Sequence, residues 1–248
     1  LKPAKAGLSL RGKIAFVPGG YGGLGAAICR GLAAEGAKVI VAGRSLTQAN
    51  ALAEKIRGVA IAMDVRDPQD IENSLKSTKR IDILVNCAGV QREETLESVT
   101  EDAWDEVLGT NLKAAMFLAQ AVAKRQRRGG KQVHLLSVRA QLGLRGRGYS
   151  AYCAAKGGLA MIVRQHACEL APRGICVNGV APTVVRTRMG AHWLKNPKTR
   201  AWLQERIPLG RVAEPKDVLG AVLFFCSRAA DYVTGQILYV DGGLTASQ

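Results

Sequence analysis

Three observations predict an α/β fold, a single Rossmann-type doubly wound parallel sheet of about seven strands with helices on both faces. Short apolar, β-branched runs alternate with helical patterns; a glycine-rich turn follows the first run; no Pro/Ser-rich linker, internal repeat or low-complexity tract interrupts the order. The strand candidates are Ile14–Val17, Val39–Val41, Ala60–Met63, Ile83–Val85, Val133–Leu136, Cys176–Val180 and Ile237–Val240. They are largely continuous in apolar character instead of alternating in polarity, as expected of strands covered on both faces. Between them the helical patterns run over Gly25–Glu35, Leu46–Arg57, Pro68–Ser74, Glu101–Arg125, Ser150–Leu170 and Lys216–Cys226. We therefore expect one unit over residues 1–248, with a substrate lid around 186–211.

Composition narrows the class. Hydrophobic residues make up 48% of the 248, enough to bury a core, yet no run approaches the ~18 consecutive apolar residues of a membrane helix. Leu1 to Lys13 lacks the apolar core and cleavage site of a secretory signal, so a cytoplasmic location is expected. Cys29, Cys87, Cys153, Cys168, Cys176 and Cys226 form no C-x-x-C pair, which argues for reduced thiols and against a metal site. The net charge of +15 raises the question of a polyanionic partner. Lys124–Arg147 carries eight basic residues without an acid, and Arg186–Arg211 carries seven against Glu205. Both stretches border the chemistry described next, so a small anionic substrate explains them as well as nucleic acid does.

The first strand runs into Pro18-Gly19-Gly20-Tyr21-Gly22-Gly23-Leu24-Gly25 and then a helix. Glycines there let backbone approach a pyrophosphate, and a helix N-terminus favours its charge. The second strand ends at Arg44-Ser45, with no carboxylate for a ribose diol; a guanidinium and a hydroxyl suit a 2′-phosphate, so NADP(H) is expected over NAD(H). Asp64 and Val65 follow the third strand, and Asn86-Cys87-Ala88-Gly89 the fourth, both at carboxyl ends where such sheets bind ligands. Tyr152 and Lys156 are four apart in a helical pattern and share one face. An ammonium beside a phenol stabilises the phenolate, and the pair can then exchange a proton with a substrate hydroxyl. Ser137 ends the fifth strand, ready to bind the substrate oxygen.

Together with Asn111 and the closing Gly235-Gln236-x-x-x-Val240-Asp241-Gly242-Gly243, these signals resemble the short-chain dehydrogenase/reductase family over roughly residues 10–243. The resemblance implies Tyr152 as general acid/base, Lys156 as its partner and ribose ligand, Ser137 as the group orienting the carbonyl, and Asn111 holding a water. Asn178 and the turn at Pro182, Thr183 and Val185 would line the nicotinamide, with Thr187 on its carboxamide. Four departures stand out: Pro18 replaces the usual Thr, Gly22 takes a place where NADP-binding members often carry a basic residue, Pro182-Thr183 stands where Pro-Gly is usual after the sixth strand, and the interval from Ser137 to Tyr152 is two residues longer than usual. The residue at the usual spacing is Arg139.

Substrate-binding candidates are Arg92, Ser137, Arg139, Tyr152, and, in the lid, His192 and Trp193. The segments Ala88–Arg92, Ser137–Gly143 and Pro208–Arg211 are similar to the branch that interconverts gluconate and 5-ketogluconate, where Arg92 would clamp the carboxylate. A 3-oxoacyl-thioester reductase is the other enzymatic reading. A non-catalytic nucleotide-binding regulator touching nucleic acid is the alternative from another class, against which the complete Asn111, Ser137, Tyr152 and Lys156 set argues. Family likeness further implies a homotetramer.

Overall fold

Strand and helix formation follow the apolar runs closely. The computed structural model describes residues 7–247, without the side chain of His192. Its strands are β1 (Ile14–Pro18), β2 (Lys38–Gly43), β3 (Val59–Ala62), β4 (Ile83–Asn86), β5 (Lys131–Leu135), β6 (Cys176–Pro182) and β7 (Ile237–Val240). They form one sheet in the order β3-β2-β1-β4-β5-β6-β7, and every neighbouring pair is parallel. The chain moves outward from β1 to β3, then returns to the other side of β1 for β4. Such a reversal opens a crevice at the carboxyl ends of β1 and β4, where an open α/β sheet takes its ligand.

Alternate strand residues serve the two faces. Ala15, Val17, Val39 and Val41 pack with Ile28 and Leu32 of α1 (Gly23–Ala34), with α2 (Leu46–Lys55) and with α9 (Pro215–Cys226). Phe16, Ile40 and Ala42 point the other way, toward Ile71 of α3 (Pro68–Ser74) and Leu118 of α5 (Ala114–Ala123). Further along that second face, α6 (Ser150–Leu170) covers β5 and β6 through Leu159, Ala160 and Val163. Each large side chain buried in this way contributes about 1.5–3 kcal/mol.

Helix starts have local causes. Ser45, Asp67 and Thr100 each accept a backbone N–H in the first turn of α2, α3 and α4 (Glu101–Leu108), and Pro68 and Pro215 occupy opening positions that need no donor. The expected continuous helix over Glu101–Arg125 does not form. Between α4 and α5 the chain makes a π turn, Gly109–Lys113, and the last turn ends at Ala123. Asn111 accounts for the widening: its Nδ2 donates to the Val107 carbonyl at 2.8 Å, the acceptor that its own backbone N–H would use in an α-helix.

The segment 186–211 contains two helices that apolar periodicity did not reveal, α7 (Ala191–Lys195) and α8 (Pro197–Arg206). Asn196 caps α8 and Pro197 opens it. No helix among the described residues is long and apolar enough to cross a membrane.

Candidate active site

The carboxyl ends of the central strands meet a cavity of about 620 Å³. Its first wall is the glycine turn. Gly19 has φ +72°, and a Cβ there would sit 2.8 Å from the backbone of Cys87 and Ala88, so only glycine lets the β1 and β4 turns lie against each other. Pro18 removes no anchor: Gly19 N and Gly20 N donate to Ala42 O at 2.9 and 3.2 Å, and Cys87 N donates to Pro18 O at 3.0 Å. The first turn of α1 has no acidic residue, and Gly22 ahead of it makes no side-chain cap, so the N-terminal N–H groups face the crevice unneutralised. Gly19, Tyr21, Gly22, Gly23, Leu24 and Gly25 all line it. An anionic dinucleotide phosphate fits that wall.

Arg44 lines the adjoining part of the cavity, together with Met63, Asp64, Val65 and Arg66. Arg66 was not anticipated. Its guanidinium pairs with the Asp64 carboxylate at 3.0 Å and holds that carboxyl below the usual range. Asp64 occupies the Arg66 fork through Nε and Nη2, so Arg44 at the end of β2 is the group that suits this pocket to an extra phosphate. Ser45 is not part of the lining. Its hydroxyl caps α2 by accepting from Gln48 N at 3.3 Å, while its backbone N–H donates to the Tyr21 hydroxyl at 3.0 Å. Asn86 likewise stays out of the cavity; its Oδ1 accepts from Ala88 N at 3.1 Å and shapes the turn that presents Ala88 and Gly89.

At the far end Ser137, Tyr152 and Lys156 converge with Asn111. Ser137 and Tyr152 line the same end of the cavity, with the Ser137 hydroxyl placed to favour the ionised phenol, so the two extra residues between them are taken up in the intervening loop. Lys156 Nζ donates to Leu135 O at 2.8 Å and lies 5.6 Å from the centre of the Tyr152 ring. Asn111 Nδ2 donates to Val90 O at 2.9 Å as well as to Val107 O. Its Oδ1 points toward Gly89, whose missing side chain keeps open the space between that oxygen and Lys156 Nζ; a Cβ there would fall 2.9 Å from Oδ1. A buried amide oxygen beside an ammonium in a polar opening suits an ordered water.

The electrostatics correct one expectation. Burial pushes the Tyr152 phenol up to about 12, with the nearby Ser137 hydroxyl and the Arg139 charge opposing it only partly. Lys156 does not overcome this, because its ammonium is held on a carbonyl over the ring face and is itself pushed down to about 8 by burial. The free site thus presents a neutral phenol at neutral pH, the form that donates a proton.

Pro182, Thr183, Val185 and Thr187 line the cavity beyond β6. Asn178 does not. It bonds Val233 O and Gln236 N at 2.7 and 3.0 Å and ties β6 to the approach of β7. Trp193 of α7 is buried, lines the cavity and stacks on Tyr149 with 6.2 Å between ring centres. The Arg147 guanidinium lies 4.7 Å from the Trp193 ring centre, and Glu93 binds both Arg147 and the Tyr149 hydroxyl, at 2.6 and 2.9 Å. This cluster holds α7 against the loop after β5. The side chain of His192 lies outside the described residues.

Arg92 is the clearest miss. Its guanidinium is paired with Glu106 at 2.6 Å on the outer rim, and it does not line the cavity. A carboxylate already saturates the fork that was to receive the substrate. Arg92→Ala should therefore change the Michaelis constant for an acidic substrate by no more than about two-fold, as is usual for an exposed pair, and steady-state kinetics over a substrate series checks it.

Comparison with known proteins agrees with this geometry. The family profile described as Enoyl-(Acyl carrier protein) reductase matches residues 20–245. Gluconate 5-dehydrogenase of Gluconobacter oxydans is 34% identical over 250 residues, covering 96% of this chain and 97% of that protein. A 3-oxoacyl-(acyl-carrier-protein) reductase of Vibrio harveyi is 36% identical, covering 96% and 99%. Among solved structures, a gluconate 5-dehydrogenase from Burkholderia cenocepacia in complex with NADP and tartrate superposes with a TM-score of 0.92 at 31% identity, covering 97% of this chain and 98% of that one.

Proposed function

This chain belongs to the short-chain dehydrogenase/reductase family, and from that premise we propose that it is an NADP(H)-dependent oxidoreductase interconverting the secondary alcohol and ketone of a sugar acid of the gluconate type. The observation that carries the reading is the meeting of the Ser137 and Tyr152 hydroxyls with Lys156 at one end of a crevice whose other end is a glycine turn on a helix N-terminus. NADP(H) held along that crevice supplies the carbon that takes up or gives back a hydride. The glycine turn would hold its pyrophosphate, Arg44 the 2′-phosphate, Asp64 and Val65 the adenine, and Ala88, Gly89 and Lys156 the ribose beside the nicotinamide. Thr187, with Pro182, Thr183 and Val185, would face the nicotinamide itself.

In reduction, Ser137 orients the carbonyl oxygen and Tyr152 gives it a proton. Oxidation needs the reverse transfer, from the substrate hydroxyl to the phenolate. Lys156 and Asn111 provide the route by which Tyr152 exchanges its proton with solvent. Residues 1–248 act as one unit under a lid at 186–211, and the protein works in the cytoplasm as a homotetramer.

The 36% identity to a 3-oxoacyl-thioester reductase favours a second reading strongly enough to test it alongside the first. Purified protein should oxidise NADPH with 5-ketogluconate faster than with an acetoacetyl thioester, and should prefer NADPH to NADH by roughly tenfold or more, as charge-assisted bonds to a phosphate imply. Turnover of the thioester without turnover of the sugar acid would move the assignment to the second reading. Loss of Tyr152-dependent turnover with every ketone, together with DNA binding at moderate salt, would favour the regulatory alternative.

A further inference from the structure

Cations around the substrate end of the crevice fall into two groups. Arg92, Arg147, Arg186 and Arg211 each have a carboxylate partner within 2.6 Å: Glu106, Glu93, Glu214 and Asp217. Among the described residues Arg139 has no carboxylate partner, nor do Arg145 and Arg206 of the same lining, but only Arg139 of these three is drawn into the wall beside Tyr152. Ser137 fixes its backbone, accepting from Arg139 N at 3.2 Å in the short turn after β5. Nη1 is spent on the Leu142 and Gly143 carbonyls, which brace the loop. Nε and Nη2 have no partner among the described residues. The side chain is half-buried, lines the cavity, and is faced by Tyr149, Tyr152 and Cys153. The one other permanent charge acting on it is also positive, Arg206 of the lid helix α8, which lines the same cavity with its guanidinium 5.3 Å from the Trp202 ring centre.

A partly desolvated guanidinium with half of its fork unused, facing a second cation and no acid, is unfavourable unless an anion completes it. We propose that Arg139, with Arg206 closing from the lid, is the site that receives the substrate's carboxylate while the alcohol or ketone carbon lies at Ser137 and Tyr152. The inference rests on the proposed hydride transfer for the identity of the reacting end, and it moves acid recognition from Arg92 on the rim to the wall beside Tyr152. Geometry favours a carboxylate over a neutral acyl chain. Nε and Nη2 form one edge of a planar fork, which two carboxylate oxygens match. An anion there also cancels the repulsion between α8 and the loop after β5, so an acidic substrate would draw the lid closed as it binds.

Gluconate and its neutral isostere gluconamide separate this role from mere loop bracing. Oxidation of both with NADP should be compared in wild type, Arg139→Met and Arg139→Lys. Wild type is expected to prefer gluconate in kcat/KM, and Arg139→Met to lower the gluconate-to-gluconamide ratio by roughly 10- to 100-fold, the loss typical of a hydrogen-bonded charge pair. Arg139→Lys should recover part of that ratio as a point charge without the fork. A wild type indifferent to the acid overturns the proposal. So does an Arg139→Met variant that loses the same factor on both compounds, since bracing through Leu142 and Gly143 predicts that pattern. If wild type oxidises neither compound, the hydride-transfer reading on sugar acids fails, and binding still decides the anchor. Trp193 and Trp202 line the cavity, so quenching of tryptophan fluorescence by gluconate but not gluconamide, weakened in Arg139→Met, supports it; no gluconate-specific quenching overturns it.

Discussion

Tyr152→Phe lowers kcat by roughly 10²- to 10⁴-fold, the range expected when a positioned acid/base group is removed. The ring itself is structural. It packs in a cluster with Val107, Ala155, Trp193 and Ile207 and meets Tyr149 edge-on at 6.4 Å. Phenylalanine keeps all of this packing, so the thermal midpoint and NADPH binding should stay close to wild type while turnover collapses. A kcat within about tenfold of wild type would transfer the proton to another group and remove the mechanism. The direction of the reaction gives a second readout. With the phenol pushed up to about 12, ketone reduction finds its acid protonated across the neutral range, whereas alcohol oxidation depends on the small phenolate fraction. Oxidation by wild type should therefore rise steeply with pH, and the Phe variant should show no such rise.

The parts of this molecule legible in the sequence are those specified by local pattern. β7 and α3 appear with the predicted bounds because an apolar run, or a Pro-opened turn behind Asp67, fixes them without help from distant residues. The same holds for α6, where Tyr152 and Lys156 share a face by periodicity alone. Elements that depend on one side chain competing with backbone were not legible. The π turn exists because Asn111 takes a carbonyl from its own helix, and no hydrophobic period reports that. α8 has little amphipathic character, with Leu203 its only fully buried residue, so the Asn196-Pro197 start was its one signal.

For the site the dividing line is different. Residue types at strand ends could be listed from the chain, but their partners could not. Arg92 and Arg139 look equivalent as cations near the fourth and fifth strands. Glu106 lies fourteen residues after Arg92, on α4, and only the folded chain brings it alongside and satisfies the guanidinium. Ser45 and Asn178 were likewise claimed by helix capping and by the β6–β7 connection, both long-range or competing uses of a polar group. Arg66 was overlooked because it lies two residues past the expected acidic position, where β3 and the turn to α3 bend it back onto Asp64. Burial was the remaining unknown, and it reverses the expected direction of the Tyr152 shift.

Burial also makes Lys156 the residue with the widest consequences. Its ammonium is pushed down to about 8 from 10.5, chiefly by loss of solvation, and the folded protein tolerates it through one carbonyl bond to Leu135. The unfolded chain binds this proton up to its ordinary range, so between pH 8 and about 10.5 the unfolded state carries the extra proton and stability rises with pH. Below pH 8 both states are protonated and the full penalty is present. A shift of this size corresponds to about 3 kcal/mol. Lys156→Met should therefore abolish a stability gain of that order on going from pH 7.5 to pH 10.5. At neutral pH it should be at least as stable as wild type, the relief being offset in part by the unpaired Leu135 carbonyl, worth about 1–3 kcal/mol. Turnover should move the other way, by roughly 10²-fold or more, because the proposed proton route to Tyr152 and the proposed ribose contact would both be lost. Urea denaturation of both proteins at the two pH values measures the difference directly. Parallel pH dependences would mean that Lys156 is solvated in the folded protein, and a buried ammonium would no longer be available to exchange charge with the phenol during the reaction.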